Sequence, residues 1–150
     1  MILYRISNCK YAKYSSGTGA KMFGGRWNSI GTPMHYMAEN RALAALEVLA
    51  NIDNISDTNQ LCLTIFELSD ESIEVCNVNQ LPKNWRSYPS SFELQRIGDE
   101  FVKTNKHLLL KVPSALIADE FNFLMNVSHP LAENIKILEI KPFSFDNRLL

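Results

Sequence analysis

The sequence lacks an excess of either charge. Fifteen Lys and Arg stand against sixteen Asp and Glu, a formal net charge of −1. Binding along a phosphate backbone needs a cationic face, which argues against a free-standing, strongly basic nucleic-acid binder. Cysteine is scarce and odd in number, with Cys9, Cys62 and Cys76 and no C-x-x-C. That speaks against a disulfide scaffold and a cysteine zinc site, and predicts free thiols in a reducing cytoplasm. No apolar run reaches the roughly 20 residues of a membrane-spanning helix. The start, Met1-Ile2-Leu3-Tyr4-Arg5-Ile6, meets a charge early and is not a signal peptide. His35, His107 and His129 are isolated, with neither H-x-x-x-H nor H-E-x-x-H. A catalytic zinc needs about three nearby ligands, so no metal site is expected. Repeats, low-complexity tracts and linkers are also missing.

What is present reads as one domain over residues 1–150. The hydrophobic fraction is 46% and the charged fraction 21%, both ordinary for a globular chain. The length supports a core without staples. Alternating or apolar runs predict strands at Ile2–Ile6, Pro33–Ala38, Leu61–Leu68, Ser72–Cys76, His107–Val112 and Asn134–Lys141. A strong helix is expected over Glu39–Ala50, rich in Ala and Leu, and a moderate one over Phe92–Thr104. A short turn of helix is expected at Asp119–Leu124. Five or six strands with two or three helices make an α/β or α+β domain with a mixed sheet and flanking helices.

Residues 7–31 stand apart. They hold five of the six glycines, interleaved with Tyr11, Tyr14, Phe23 and Trp27. A loop this long in a compact domain is usually functional or disordered, and the aromatics argue against disorder. It is not a phosphate loop of known spacing. G-x-x-x-x-G-K fails because Gly25 follows Gly24, and G-x-G-x-x-G fails because Met22 stands where the third glycine belongs. No helix is expected to open at these glycines. No G-x-S-x-G elbow occurs either.

Four residues carry candidate chemistry. Arg26 follows two glycines that let a ligand approach, and its fork suits a phosphate; the alternative is a surface arginine at a tight turn. Tyr36 can stack on a ring and offer a hydroxyl, or be a half-buried strand tyrosine. Glu47 can stabilise a cationic transition state, or belong with Asn40 and Asn51 to a solvated helix edge. Ser114 offers a hydroxyl at the mouth of a cleft, or simply begins a turn. Arg5 is a second phosphate donor or an edge-strand charge.

As a set, these segments resemble the RES domain family, the toxin half of bacterial RES–Xre toxin–antitoxin modules. The resemblance is carried by Tyr4-Arg5, Gly17-Thr18-Gly19-Ala20, Gly24-Gly25-Arg26-Trp27-Asn28, Tyr36 and Ala42-Leu43-Ala44-Ala45-Leu46-Glu47. It continues through Gly31, Leu81-Pro82, Trp85, Ile97-Gly98-Asp99, Val112-Pro113-Ser114-Ala115, Asn122, Asn126, His129-Pro130 and Phe145-Asp146-Asn147-Arg148. Arg26, Glu47 and Ser114 match the arginine, glutamate and serine that name the family. One departure is Asn126-Val127-Ser128 before His129-Pro130, where members tend to have Asn-Pro.

The resemblance implies a reduced ADP-ribosyltransferase core and an enzyme that cleaves NAD by hydrolysis or phosphorolysis. It implies Arg26, Tyr36, Glu47 and Ser114 as catalytic, and Arg5, Arg26, Trp27, Asn28 and Tyr36 as NAD-binding. NAD enters as substrate, and no cofactor is implied. The implied partner is a Xre-like helix-turn-helix antitoxin that carries the DNA contact, in a complex that admits a homodimer of this chain. Transfer of ADP-ribose to a protein, or a non-catalytic nucleotide- or protein-binding module, are the competing readings.

Overall fold

A computed structural model describes all 150 residues. The chain is α+β, built on one seven-stranded sheet in the order β4-β5-β6-β2-β1-β3-β7. The strands are β1 (Ile2–Asn8), β2 (His35–Ala38), β3 (Leu61–Glu67), β4 (Ile73–Val75), β5 (Leu109–Pro113), β6 (Phe121–Met125) and β7 (Lys136–Phe143). All neighbours are antiparallel except β4 and β5. That parallel pair needs a crossover, and α3 (Phe92–Thr104) supplies it. The other helices are α1 (Thr18–Phe23) and α2 (Arg41–Asn51).

Strand alternation divides the core. Leu3, Met37, Phe66, Leu109, Phe123 and Met125 share one face, closed by Val127, Leu131 and Ile135. On the other face α2 covers Ile6, Ala38, Leu63 and Ile65, and α3 covers Leu110, Val112 and Leu124. Both main helices therefore lie on the same side of the sheet. β1 pairs with β3 along its whole length but with β2 only at Tyr4 and Ala38. The sheet is thus two halves joined at one residue pair.

Local chemistry explains the helix ends. The Asn40 side chain accepts from Leu43 N–H at 2.8 Å and starts α2. Asn105 stops α3 in the left-handed region, at φ 53°.

Three expectations are corrected. Residues 121–125 form a central strand, not a turn of helix, because β5 and β2 both pair with them. A helix does open at the glycines: Gly17 precedes α1, whose Ala20 carbonyl accepts from the Asn28 amide at 2.7 Å. The thiols are not all free. Cys9 directly follows β1, Cys62 sits in the neighbouring β3 opposite Ser7, and the two are bonded. Cys76 stays free and buried. No helix is long and apolar enough to cross a membrane.

Candidate active site

The site lies between α2 and α3, over β2 and β6. Each part is fixed by its element. β2 sets Tyr36 opposite Leu124 of β6, and β6 sets Asn122 opposite Ala38 on one side and Val112 on the other. α2 brings Glu47 over this part of the sheet, half-buried, where its Oε1 accepts from Asn122 Nδ2 at 2.6 Å. Glu47 is therefore not on the solvated edge that Asn40, Glu47 and Asn51 were expected to form. Asn40 caps the helix and Asn51 returns a bond to the Glu47 carbonyl.

Arg26 is carried on a tight turn, closed by Gly25 N–H donating to the Asn28 carbonyl at 2.9 Å. Tyr36 holds that turn from below. Its hydroxyl donates to Asn28 Oδ1 at 2.6 Å and accepts from Trp27 N–H at 3.2 Å. Gly25 has no room for a side chain: a Cβ there would stand 2.9 Å from both the Tyr36 hydroxyl and Asn28 Oδ1. α3 holds the turn from the side. Gln95 donates to the carbonyls of Gly25 and Asn28. Asp99 accepts from the Ser29 N–H and hydroxyl. Gly98 lies so close that an added Cβ would fall 1.6 Å from the Trp27 carbonyl oxygen.

The Arg26 guanidinium donates to two main-chain carbonyls, Trp85 at 3.0 Å and Ser87 at 3.1 Å. The molecule's two ion pairs, Lys141–Glu139 and Arg148–Asp146, lie elsewhere. No carboxylate contact neutralises Arg26. Partial burial lowers its pKa, and the nearby Glu47 and Tyr36 oppose that shift. Burial raises the Glu47 carboxyl above its ordinary value, while the Asn122 bond and Arg26 pull it back. Burial pushes the Tyr36 hydroxyl well above the usual tyrosine range, so it stays neutral.

Arg26, Tyr36 and Glu47 are thus brought together. Ser114 directly follows β5 and is 2% exposed. Its Oγ accepts from Leu116 N–H and Ile117 N–H, both at 3.1 Å, so it begins a turn and keeps only its O–H to donate. Trp27 and Asn28 sit differently from the ligand contacts expected of them. Trp27 is a core residue, 3% exposed. Asn28 is fully buried, and its amide is engaged with Tyr36, Ala20 and Thr32.

Arg5 is not joined to the group. His35 and Tyr36 are consecutive on a strand and point to opposite faces. Arg5 meets His35, its Nη1 lying 3.3 Å from Nδ1, and also donates to the Tyr14 carbonyl. An arginine has only donors, so Nδ1 accepts and His35 is neutral; burial, then Arg5, hold its pKa well down.

Sequence reasoning missed Gln95 and Asp99 as braces of the Arg26 turn. Their spacing on α3 with Gly98 was the available signal. It also gave Asn122 no role, because β6 was not recognised.

A depression of about 900 Å³ opens beside Arg96, Glu100 and Lys106 and is lined by neither Arg26 nor Glu47.

Comparison with known proteins gives this arrangement relatives. The RES domain model matches residues 2–146. The chain is 34% identical over 155 residues to Toxin Res of Photorhabdus laumondii, covering 100% of this chain and 97% of that protein. It is 36% identical to Toxin Res of Yersinia enterocolitica, covering 99% of both. It is 34% identical over 138 residues to the Prs ADP-ribosylating toxin of a Sphingobium species, covering 90% of this chain and 86% of that one. In fold it matches a chain of the MbcT–MbcA toxin–antitoxin complex of M. tuberculosis, with a TM-score of 0.78 at 17% identity over 95% of this chain and 84% of that chain. With a family model spanning nearly the whole chain and full-length relatives above 30% identity, this chain belongs to the RES domain family.

Proposed function

We propose that this chain is the toxin of a toxin–antitoxin pair and that it cleaves the nicotinamide–ribose bond of NAD, with water or phosphate as acceptor. The observation that carries the chemistry is the approach of Glu47 to Arg26. A half-buried carboxylate, Glu47, faces an arginine, Arg26, that no carboxylate neutralises. One end of such a site suits a pyrophosphate and the other a developing cation.

In this reading Arg26 holds the pyrophosphate. The Tyr36 ring packs against nicotinamide or its ribose while its hydroxyl keeps the Arg26 turn in place. The C–N bond breaks with its electron pair moving to the nicotinamide nitrogen, which leaves neutral. Positive charge grows on the ribose ring, and Glu47 stabilises it and accepts from a ribose hydroxyl. Ser114 serves as a donor only. The nucleophile then joins the anomeric carbon: water gives up its proton to bulk solvent, whereas an ionised phosphate oxygen adds without losing one. NAD is the substrate, and none of these steps calls for a metal or cofactor. The setting is the cytoplasm, where NAD is at hand. The partner is a Xre-like antitoxin that covers the site and makes the DNA contact. The names of the relatives support the toxin role. The Sphingobium relative supports a second reading, transfer of ADP-ribose to a protein.

The test is release of free nicotinamide from NAD by the purified chain, with and without phosphate, beside Arg26→Ala and Glu47→Ala. Release by the wild type alone is expected, and phosphate dependence names the acceptor. No release from folded, antitoxin-free protein overturns hydrolysis and phosphorolysis and favours transfer.

A further inference from the structure

We infer that Asn122 is the positioning residue for Glu47: it holds one carboxylate oxygen from a fixed point on the sheet and leaves the other turned free for substrate. This rests on the role of Glu47 proposed above and adds to it the group that makes that role possible.

The geometry is specific. Asn122 sits in β6, paired on both sides, opposite Ala38 and opposite Val112. Its backbone is fixed by two neighbouring strands, and its side chain reaches across to α2. The contact is short, 2.6 Å from Nδ2 to Oε1, and spans 75 residues of sequence. A carboxylate can only accept, so the amide nitrogen must face Glu47. Glu47 Oε1 has this one donor, and Oε2 has no hydrogen-bond partner in the protein.

The choice of asparagine has a physical reason. Lysine or arginine at this position would form a buried ion pair and cancel the charge the reaction uses. Aspartate would put two like charges together and drive one of them to protonate. A neutral donor favours the carboxylate without neutralising it. The other groups around Glu47 fit this division. Arg26, from the 24–29 turn, attracts the carboxylate. Tyr36, from β2, stays neutral. Near the start of α2, Glu39 accepts from Phe121 N–H and Glu120 from the Asn40 amide, so both carboxylates are engaged with partners other than Glu47.

The experiment measures nicotinamide release against pH for the wild type, Asn122→Leu and Asn122→Asp. In parallel, carbon NMR follows the Glu47 carboxyl, assigned by its loss in Glu47→Gln. The acid limb of kcat is expected to move up by about one pH unit in Asn122→Leu, a roughly fivefold loss at the wild-type midpoint that approaches about tenfold at lower pH, and further in Asn122→Asp. KM is expected to hold, since Arg26 and Tyr36 are untouched. The Glu47 titration should move with the limb. A uniform loss at every pH, with the Glu47 titration unmoved, would overturn the inference and leave Asn122 a packing residue. If the wild type releases no nicotinamide while the NMR titration still shifts, the NAD reading falls and the hold on Glu47 stands. Asn122→Asp keeps the side-chain volume and serves if Asn122→Leu does not fold.

Discussion

At Glu47 two opposed effects meet. Burial favours the neutral acid, whereas the Asn122 amide and Arg26 favour the carboxylate, and burial wins in the net direction. A carboxyl raised in the folded state binds a proton more readily there than in the unfolded chain. Its charge therefore costs stability, and that cost appears as pH rises from the unfolded value through the folded one. Glu47→Gln removes the charge and keeps an oxygen for Asn122. Its melting temperature at neutral pH should equal or exceed that of the wild type, with the gap closing as pH falls through the Glu47 titration. Nicotinamide release should drop by about 100-fold or more. Calorimetry and a rate assay check the two halves. Tyr36→Phe behaves in the opposite way. It strips a donor from the buried Asn28 Oδ1 and an acceptor from Trp27 N–H. Urea melts should show a loss of about 1–3 kcal/mol, and activity should fall because the Arg26 turn loosens.

Among the elements, α3 does more for the site than its sequence suggests. Gly98 in mid-helix would ordinarily gain about 1 kcal/mol on change to alanine. Here the Trp27 carbonyl blocks the new Cβ at 1.6 Å. Overpacking of this kind costs about 1–3 kcal/mol or more, so Gly98→Ala should destabilise. Gly19→Ala, in α1 with nothing within 4 Å, should stabilise by a few tenths to 1 kcal/mol. Thermal melts of the pair separate helix preference from contact. The two elements hidden from the sequence are instructive. β6, Phe121–Met125, is covered on both faces, with Phe123 and Met125 toward one core and Leu124 toward another, so it carries no alternation. Acidic Asp119 and Glu120 before it imitate a helix start. Its strand character comes from β5 and β2, neither adjacent in sequence. α1 has six residues, too few to show a period, and leans on Asn28. The Ala and Leu run of α2 was legible because local propensity and tertiary packing agree there. Losing β6 also hid the partner of Glu47, while Arg26, Tyr36 and Glu47 were candidates by residue type that only the family resemblance joined into one site.

For the whole molecule, the placement of α2 and α3 on one side of the sheet is what brings Glu47 and the Arg26 turn to the same face. The opposite face is closed by the 127–135 segment and holds Arg5 against His35. The charge balance belongs to this scale as well. With a net charge of −1, the chain alone should show no retention of duplex DNA in filter binding at about 150 mM salt. Binding that appears only with a partner protein would assign the DNA contact to that partner. One detail reaches beyond energetics. Arg26 is aimed by the carbonyls of Trp85 and Ser87, which belong to the peptide chain and not to any side chain. No single substitution at either position can delete them. The aim of Arg26 is thus less exposed to the identity of the side chains at 85 and 87 than to insertions and deletions in the 82–91 loop. In lineages of this chain that loop should hold its length more strictly than its letters, apart from Trp85, which packs against the core.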